Sequence, residues 1–263
     1  MNLTHPRSIH EKIIWKKIHD RNPLLPITAD KYQARSYIKE TLGEKQAKEL
    51  LVPLIYVTDQ PETIPFERLL SSFIVKSNHA SGRYIIVEEG KFDKEKIINA
   101  CKRWLKTPYG LNRLEWAYRP IKRKIVIEKL LRDDADSLKE FLFHMFHGKC
   151  QIITFVYDRM NNSSASHYDE KWNILPVKKS NRPQAPKIKK PKNFEKMLEI
   201  AEKLSKSFDY IRIDLYNLKG KIFIGELIHY PASGMIKYDP TSFIYELGKH
   251  FKIKPEYWKK SKN

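Results

Sequence analysis

Hydrophobic and polar residues alternate in two neighbouring segments near the C-terminal end of the chain. In residues 210–216 every second position from Ile211 is isoleucine or leucine, and residues 221–228 are again rich in β-forming residues. This pattern is typical of half-buried strands. Because Asn217-Leu218-Lys219-Gly220 lies between the segments, the pattern predicts a β-hairpin.

The length of the turn determines which residues of this hairpin face each other. A three-residue loop, Leu218 to Gly220, would place Arg212 opposite Glu226 and Asp214 diagonally on the same face. A slip of one residue would move Glu226 to the other face, so the prediction depends on the turn. With this register the core face would carry Ile211, Ile213, Phe223 and Leu227.

Asp214 and Glu226 would then be two carboxylates on neighbouring strands, with an arginine beside them. They are hard oxygen ligands of the kind that bind magnesium carrying a nucleotide phosphate. The same spacing also fits an ordinary surface ion pair between Arg212 and Glu226, which is common and weakly stabilising. Spacing alone leaves both interpretations open.

The rest of the chain mixes helical and strand patterns. Apolar residues at helical spacing predict helices over residues 9–18, 28–43, 93–105 and 193–208, with Gly43 ending the second helix and Asn193 capping the fourth. Runs of β-forming residues predict strands over 50–57, 73–76, 84–87 and 125–128, and a hairpin over 141–155 around His147-Gly148. Residues 158–191 follow neither pattern and are predicted to be irregular.

Lys76 ends one of the predicted strands and precedes a loop of small residues, Ser77 to Arg83. The backbone N–H groups of such a loop can hold phosphate oxygens while the lysine supplies a positive charge. A plain hairpin loop would have a similar composition, since one glycine is a weak signal. Likewise, the predicted strand that ends at Glu128 would suit either a hinge for a flat ring or an ordinary core strand.

The chain is strongly basic, with 50 lysines and arginines against 31 acidic residues in 263, a net charge of +19. This charge favours a polyanionic partner, such as nucleic acid, an anionic membrane, an acidic polysaccharide or nucleotide phosphates. A solvated basic surface without a specific partner has the same composition. The basic, proline-containing run 178–192 is either a docking surface of this kind or a charged connector.

Compartment and metal chemistry are limited by what the sequence lacks. Cys101 and Cys150 are isolated, so neither a disulfide framework nor a zinc site is indicated, and Cys101 is predicted to pack in the core. His144 and His147 would lie on opposite faces of a strand and so would not share a metal. No apolar run approaches the roughly 18 residues that cross a bilayer, and the N-terminal segment has no apolar signal core. We therefore expect a cytoplasmic protein.

Seven segments in a fixed order resemble the ATP-grasp superfamily, and more closely its TupA-like branch, which is associated with teichuronopeptide and other surface-polysaccharide biosynthesis. The resemblance covers most of the chain. The segments are ADKYQARSYIKETLG, FIVKSNHASGRYIIV, NRLEWAYRPIKRKIVIEKLL, FHMFHGK, DRM with a downstream KWNILP, AEKLSKSFDYIRIDLYNLKGKIFIGEL, and PASG.

This resemblance implies an α+β protein with the ATP-grasp fold, in which two α+β lobes bind ATP between them. The implied divisions are an N-terminal helical segment (1–30), a smaller lobe with a phosphate lid loop (31–128) and a larger lobe with the metal-binding hairpin (129–263). The implied ligands are ATP and Mg²⁺.

The resemblance also implies a role for individual residues. Lys31 and Lys76 match the two lysines that contact the nucleotide phosphates, and Arg212 matches the arginine that steadies the transferred phosphoryl group, so Lys76 and Arg212 are the implied catalytic residues. Asp214 and Glu226 match metal ligands. The implied nucleotide contacts are Ser77, Asn78, His79, Ser81 and Gly82 in the lid, and Glu128, Lys129, Leu130 and Leu131 in the adenine and ribose hinge. The implied substrate contacts are Ser233 and Gly234, with Arg159, His167 and Trp172 as further candidates.

Four positions depart from the pattern of the family. Ala80 and Arg83 occupy lid positions that usually carry glycine, although Arg83 could itself reach a phosphate. Leu142 stands where the branch tends to have lysine. Ile228 stands where many ATP-grasp enzymes use a polar metal ligand, so a water, His229 or Asp158 would have to replace it, or a second metal would bind weakly.

The implied activity is an ATP-dependent ligase that joins an amino acid or related amine to a carboxylate, such as a uronic acid of a surface glycan. Alternatives are a nucleotide-binding ATP-grasp module that does not ligate, and a transferase of polysaccharide biosynthesis that docks to a polyanion or to the inner face of an anionic membrane. Nucleic-acid binding ranks last, because no aromatic residues are interleaved with the basic run 178–192.

Overall fold

The computed structural model describes residues 1–132, 139–158, 163–179 and 182–253. The helices are α1 (Ile9–His19), α2 (Leu24–Ala29), α3 (Ala34–Leu42), α4 (Glu44–Leu50), α5 (Lys94–Lys106), α6 (Phe194–Ser205) and α7 (Phe243–His250). The strands are β1 (Leu54–Thr58), β2 (Phe73–Ser77), β3 (Tyr84–Val87), β4 (Ile125–Lys129), β5 (Glu140–Phe146), β6 (Lys149–Tyr157), β7 (Ser164–Tyr168), β8 (Lys178–Lys179), β9 (Tyr210–Leu218), β10 (Lys221–Ile228) and β11 (Tyr238–Asp239).

A four-stranded antiparallel sheet, in the order β1-β4-β2-β3, lies in the first half of the chain. Alternate residues of β2 and β4, among them Phe73, Val75 and Ile127, are fully buried, and they form one core with Ile97 and Cys101 of α5. The predicted packing of Cys101 in the core is therefore confirmed. The opposite face of this sheet carries Lys76 and Glu128, because each lies next to a core residue in its strand.

A five-stranded antiparallel sheet, in the order β10-β9-β5-β6-β7, forms the second layer. Its apolar face, with Phe143, Ile153 and Ile213, packs against α6. Side chains of α1 to α4, such as Ile13 and Tyr37, belong to the same core. None of the helices in the described ranges is both long enough and apolar enough to cross a membrane.

The predicted hairpin of β9 and β10 is present, but its predicted register is wrong. The turn has two residues, Lys219 and Gly220, at φ of 50° and 89°. Leu215 therefore pairs with Ile224 and not with Phe223, as a three-residue loop would require. A bulge at Gly225 then shifts the register again, and beyond it Glu226 pairs with Asp214. The two shifts together return Glu226 to the face that carries Asp214.

The new register changes two further predictions about the hairpin. Phe223 pairs with Tyr216 and so lies off the core face, where Ile222 and Ile224 lie instead. Arg212 pairs with Ile228 and not with Glu226. The two-residue turn, whose positive φ values suit the twist of paired strands, moves Phe223 off the core face, and the turn and the bulge together pair Arg212 with Ile228.

Most of the other predicted elements are confirmed, but the helix predicted over 28–43 begins only at Ala34 (α3), because α2 ends at Ala29. The predicted strand over 50–57 is wrong at its start, because α4 continues to Leu50 and β1 begins only at Leu54. Residues 158–191, predicted to be irregular, contain β7 and β8. Asn193 occupies the N-cap position of α6, but its side chain donates to the carbonyl of Gly220 at 2.8 Å and so holds the hairpin turn instead.

Candidate functional site

Arg212 and Asp214 form a bidentate ion pair on the polar face of the five-stranded sheet. Nε and Nη2 of Arg212 donate to the two carboxylate oxygens of Asp214, each at 2.7 Å, and both side chains are buried. Burial opposes the charge on Arg212, but the carboxylate of Asp214 prevails and raises the arginine pKa. The predicted alternative, an exposed pair of Arg212 with Glu226, is wrong because Arg212 is directed along its own strand.

Lys31 connects this sheet to the loop that follows β2. Its Nζ lies 3.0 Å from Oε1 of Glu226 and donates to the carbonyl of Ala80 at 2.7 Å. The backbone N–H of Lys31 also donates to the carbonyl of Asn78 at 3.0 Å. Lys31 therefore lies between the loop, where a phosphate is expected, and Glu226, where a metal is expected.

Glu128 holds two cations on the polar face of the four-stranded sheet. Its Oε2 lies 2.8 Å from Nζ of Lys76, and its Oε1 accepts from Nη1 of Arg35 at 3.1 Å. Lys129, with an exposed side chain, and the half-buried Leu130 and Leu131 follow it directly. Glu128 thus positions the catalytic lysine that the family resemblance implies, a role that the sequence alone did not indicate.

The side chains of Ser77, Asn78 and His79 lie inside the protein and not in the predicted phosphate site. Asn78 binds the backbone of the segment before β4, donating to the carbonyl of Lys122 at 2.9 Å and accepting from the N–H of Lys124 at 2.8 Å. Nε2 of His79 faces the carbonyl of Thr107 at 3.4 Å. These side chains fix the base of the loop. In this part of the loop, therefore, only the backbone could contact the nucleotide phosphates.

The second half of the loop is placed differently. Ser81 is exposed and lines the central cavity, and Gly82 adopts a positive φ of 73°. Arg83 donates to the carbonyls of Thr107 at 2.7 Å and Pro108 at 3.2 Å. Because its guanidinium is bound to the end of α5, the expectation that Arg83 reaches a phosphate is wrong for this conformation.

A cavity of about 260 Å³ brings several predicted residues together. Its wall includes Lys31, Ser81, Glu128, Arg212, Glu226 and Ser233. The wall also includes polar residues that the sequence did not single out: Arg35, Tyr109, Arg113, Glu115, Tyr118 and Lys179. Four of these, Tyr109, Arg113, Glu115 and Tyr118, belong to the segment between α5 and β4.

The carboxylates of the hairpin suit magnesium in number and chemistry. Asp214 and Glu226 are paired across two strands and face the same side, and such hard oxygen donors bind Mg²⁺ that keeps water and phosphate as its other ligands. Within the described residues, no group of three or more acidic, histidine or cysteine side chains could hold a metal. Both carboxylate oxygens of Asp214 accept hydrogen bonds from Arg212, so a metal bound there would compete with this ion pair.

The structure shows what surrounds Ile228 and Leu142, two of the positions that depart from the family pattern. Ile228 lines the cavity, while the neighbouring His229 is buried on the other side, with Nε2 at 2.7 Å from Oγ1 of Thr28. His229 therefore does not replace the missing polar ligand. Leu142 pairs with Asp214 and forms a small apolar cluster with Val156 and Ala165.

The predicted substrate residues are dispersed. Arg159 lies outside the described residues. Nδ1 of His167 is 3.0 Å from the hydroxyl of Thr154 inside the sheet, and Trp172 stacks on Tyr168 at 4.2 Å between ring centroids, so both have packing roles. Among the predicted substrate residues that the structure describes, only Ser233 lines the cavity.

The chain was compared with protein families, with curated proteins and with solved structures. A family model described as TupA-like ATPgrasp matches residues 11–252. No curated protein matches the sequence.

Among solved structures, D-alanine-D-alanine ligase from Helicobacter pylori is 17% identical, with 86% of this chain and 62% of that chain covered and a TM-score of 0.46. D-alanine-D-alanine ligase from Bacillus anthracis in complex with ATP is 18% identical, with 77% of this chain and 55% of that chain covered and a TM-score of 0.44. L-amino acid ligase from Bacillus licheniformis is 11% identical, with 90% of this chain and 51% of that chain covered and a TM-score of 0.49. The chain thus spans between half and two thirds of the length of these three proteins.

Proposed function

Since the chain belongs to the TupA-like ATP-grasp family, we propose that it is an ATP-dependent ligase that joins a carboxylate to an amine through an acyl phosphate. The observation that carries this proposal is the pairing of Glu226 with Asp214 beside Arg212, with Lys31 reaching Glu226 from the loop after β2. Lys31, Arg212 and Glu226 all line one cavity, which supports a site where a metal and phosphates would bind side by side.

Electrostatics explains why the reaction would need these groups. A carboxylate and the γ-phosphate of ATP are both anionic, so they approach each other only where cations offset the repulsion. Lys31, Lys76 and Arg212 are the cations that the proposal assigns to this task. Donors held in advance at a reacting oxyanion contribute about 3 kcal/mol each to lowering the barrier.

Ion pairs hold all three of these cations in place. Lys31 is fixed by Glu226, Lys76 by Glu128 and Arg212 by Asp214, at distances of 2.7 to 3.0 Å. Mg²⁺ bound at Asp214 and Glu226 would supply further positive charge beside the phosphates. The chain itself would bind the phosphates through the lysines and the loop backbone, and orient the transferred group through Arg212.

For the substrates we propose a uronic acid of a surface polysaccharide as the carboxylate and an amino acid as the amine. The support is the family to which the chain belongs and the net charge of +19, which suits an acidic polymer. The basic run 178–192 would then contact the polymer or an anionic membrane. Residues 183–185 of this run lie along β7, where the N–H of Ala185 donates to the carbonyl of Ala165 at 3.1 Å.

The proposal is tested by following phosphate release from Mg-ATP with pooled uronic acids and amino acids. Asp214→Asn and Glu226→Gln should each abolish turnover while circular dichroism shows the fold to be intact. Glu199→Gln, which changes an exposed carboxylate of α6, is the control and should behave as wild type. Turnover at the wild-type rate in either hairpin variant would contradict the metal assignment. ATP binding without amide formation would favour the non-ligating module instead.

A further inference from the structure

One carboxylate in the cavity wall is not part of the phosphate and metal machinery. The wall contains three acidic side chains, of which Glu128 and Glu226 pair with lysines. The third, Glu115, is 3% exposed and belongs to the irregular segment between α5 and β4. It shares the cavity with Arg212 and Glu226, so a substrate activated there could reach it.

Glu115 is held through a hydroxyl group rather than by a direct ion pair in the part of the chain that the structure describes. Nζ of Lys17 donates to the hydroxyl and to the carbonyl oxygen of Ser233, at 2.9 and 3.0 Å. The hydroxyl accepts this bond and so keeps its own proton to donate; burial raises the pKa of Glu115, and hydrogen bonding with Ser233 opposes that rise. Lys17, Ser233 and Glu115 thus form a chain of polar contacts from α1 into the cavity.

The backbone on both sides of this contact is held in an unfavourable conformation. Leu114, directly before Glu115, has φ of 56°. Ala232 and Ser233 have φ of 46° and 58°. Residues other than glycine adopt this left-handed region at an energetic cost, and such residues concentrate where a side chain must be aimed. Here they flank Glu115 and include Ser233, both of which line the cavity.

The charged surroundings of Glu115 suit a group that exchanges a proton. Burial raises its pKa, while the hydrogen bond from Ser233 and the charges of Lys17 and Arg113 oppose that rise. Burial also lowers the pKa of Lys17. The other titratable groups that face Glu115 are Tyr109, Tyr118 and Tyr230, and burial raises the pKa of each of them, so they remain uncharged at neutral pH.

We propose that Glu115 binds the ammonium group of the amine substrate and accepts its proton, with Lys17 and Ser233 as positioning residues. This inference rests on the proposed function. An N–H bond of R–NH₃⁺ breaks and an O–H bond forms on Glu115, which releases the neutral amine. The amine nitrogen then attacks the acyl carbon, a C–N bond forms, and the C–O bond to phosphate breaks. Phosphate leaves with that electron pair and takes the second amine proton.

Two nucleophiles distinguish this role from a structural one. Hydroxylamine is mostly uncharged at neutral pH and needs no proton acceptor before it attacks, whereas amino acids are present as ammonium ions. Wild type would be incubated with Mg-ATP and uronic acids, with hydroxylamine or with pooled amino acids as the amine. Hydroxamate and amide formation would be measured from pH 7 to pH 9.5.

Glu115→Gln should form hydroxamate within about twofold of wild type. Amide formation should fall about 10²- to 10⁴-fold, the usual contribution of a general base. This loss should shrink about tenfold for each pH unit, as more of the amine becomes neutral, and Glu115→Asp should recover part of it. Glu11→Gln, which changes a carboxylate of similar burial outside the cavity, should reduce both reactions equally or neither.

Three results would overturn the inference. One is an equal loss of hydroxamate and amide in Glu115→Gln, which would indicate a structural role. Another is amide formation that is unchanged, or a loss that does not depend on pH. The third is wild type that forms no hydroxamate with any uronic acid, since this removes the proposed ligase activity itself and is recognised without any Glu115 variant.

Discussion

Replacing Lys16 should show how much more a buried ion pair contributes to the unfolding free energy of this protein than an exposed one. Lys16 lies on α1 and is 1% exposed, and its Nζ contacts Asp20 at 2.7 Å and also Asp209. Asp209 directly precedes β9, the strand that carries Arg212 and Asp214. Lys16→Met would leave two carboxylates buried without their cation.

The expected loss follows from this burial. Removing one partner of a buried ion pair costs about 3–5 kcal/mol of unfolding free energy, because the remaining charge is neither solvated nor paired. The side chains of both Asp20 and Asp209 have no exposed surface. Since two carboxylates lose the same cation, we expect a loss of about 5 kcal/mol, measured by urea unfolding at pH 7.

The dependence on pH gives this prediction a sign. Burial raises the pKa of Asp20 even in the presence of Lys16, and without the lysine it should rise further. A carboxyl whose folded pKa lies above its unfolded value binds more protons in the folded state, so stability increases as pH falls through that interval. The deficit of Lys16→Met relative to wild type should therefore shrink from pH 7 towards pH 5.

An exposed pair provides the matched control. Lys196 lies 2.9 Å from Glu199 on α6, and roughly half of each side chain is exposed. Lys196→Met should cost no more than about 1 kcal/mol. Adding Asp20→Asn and Asp209→Asn to Lys16→Met should restore part of the lost stability, because no buried charge then remains. A deficit of Lys16→Met as small as that of the control, or one that is constant with pH, would refute this reasoning.

Two further predictions concern Glu11 in α1 and Gly225 at the bulge of β10. Burial opposes ionisation of Glu11, but backbone hydrogen bonds prevail and lower its pKa to about 2. Glu11→Gln should therefore lower the unfolding free energy by about 2 kcal/mol above pH 4.5. Urea unfolding at a series of pH values should show this difference vanish as pH falls to about 2. A difference that persists at that pH would exclude charge as its cause. Gly225→Ala would place a Cβ 2.8 Å from the ring of Tyr216, which should cost about 1–3 kcal/mol and weaken Mg-ATP binding in calorimetry. Adding Tyr216→Leu should restore binding, whereas wild-type affinity of Gly225→Ala alone would mean that the bulge does not position Glu226.

The hairpin illustrates how much of the fold the sequence could predict. The alternation of residues 210–216 correctly predicted one strand, because a strand with one buried face must repeat every second residue, and the β-forming residues of 221–228 correctly predicted the other. The register was wrong, because Lys219 adopts a positive φ that a sequence pattern does not require of lysine. The bulge then returned Glu226 to the face that carries Asp214, and Gly225 is the residue that marks the bulge in the sequence.

The site was predictable where residues follow regular elements. Lys76, Glu128, Asp214 and Glu226 all lie in strands, so their faces could be inferred once the strands were known. Glu115 reaches the cavity from an irregular segment, where no periodicity indicates which side a residue faces. The same limit applies to β7, whose residues Ser164–Tyr168 are all buried but only partly apolar, so that neither alternation nor an apolar run marks the strand.

For the proposed binding of ATP and magnesium, the ion pair of Lys31 with Glu226 has a thermodynamic consequence. Nucleotide alone would draw Lys31 to its phosphates and leave Glu226 as an uncompensated anion facing them, whereas magnesium alone would bind Glu226 and leave Lys31 as a cation beside the metal. Either ligand therefore prepares the site for the other. Because such coupling is reciprocal, magnesium should tighten nucleotide binding by the same factor by which nucleotide tightens magnesium binding. The cavity would then bind the magnesium–nucleotide complex more tightly than it binds either ligand alone.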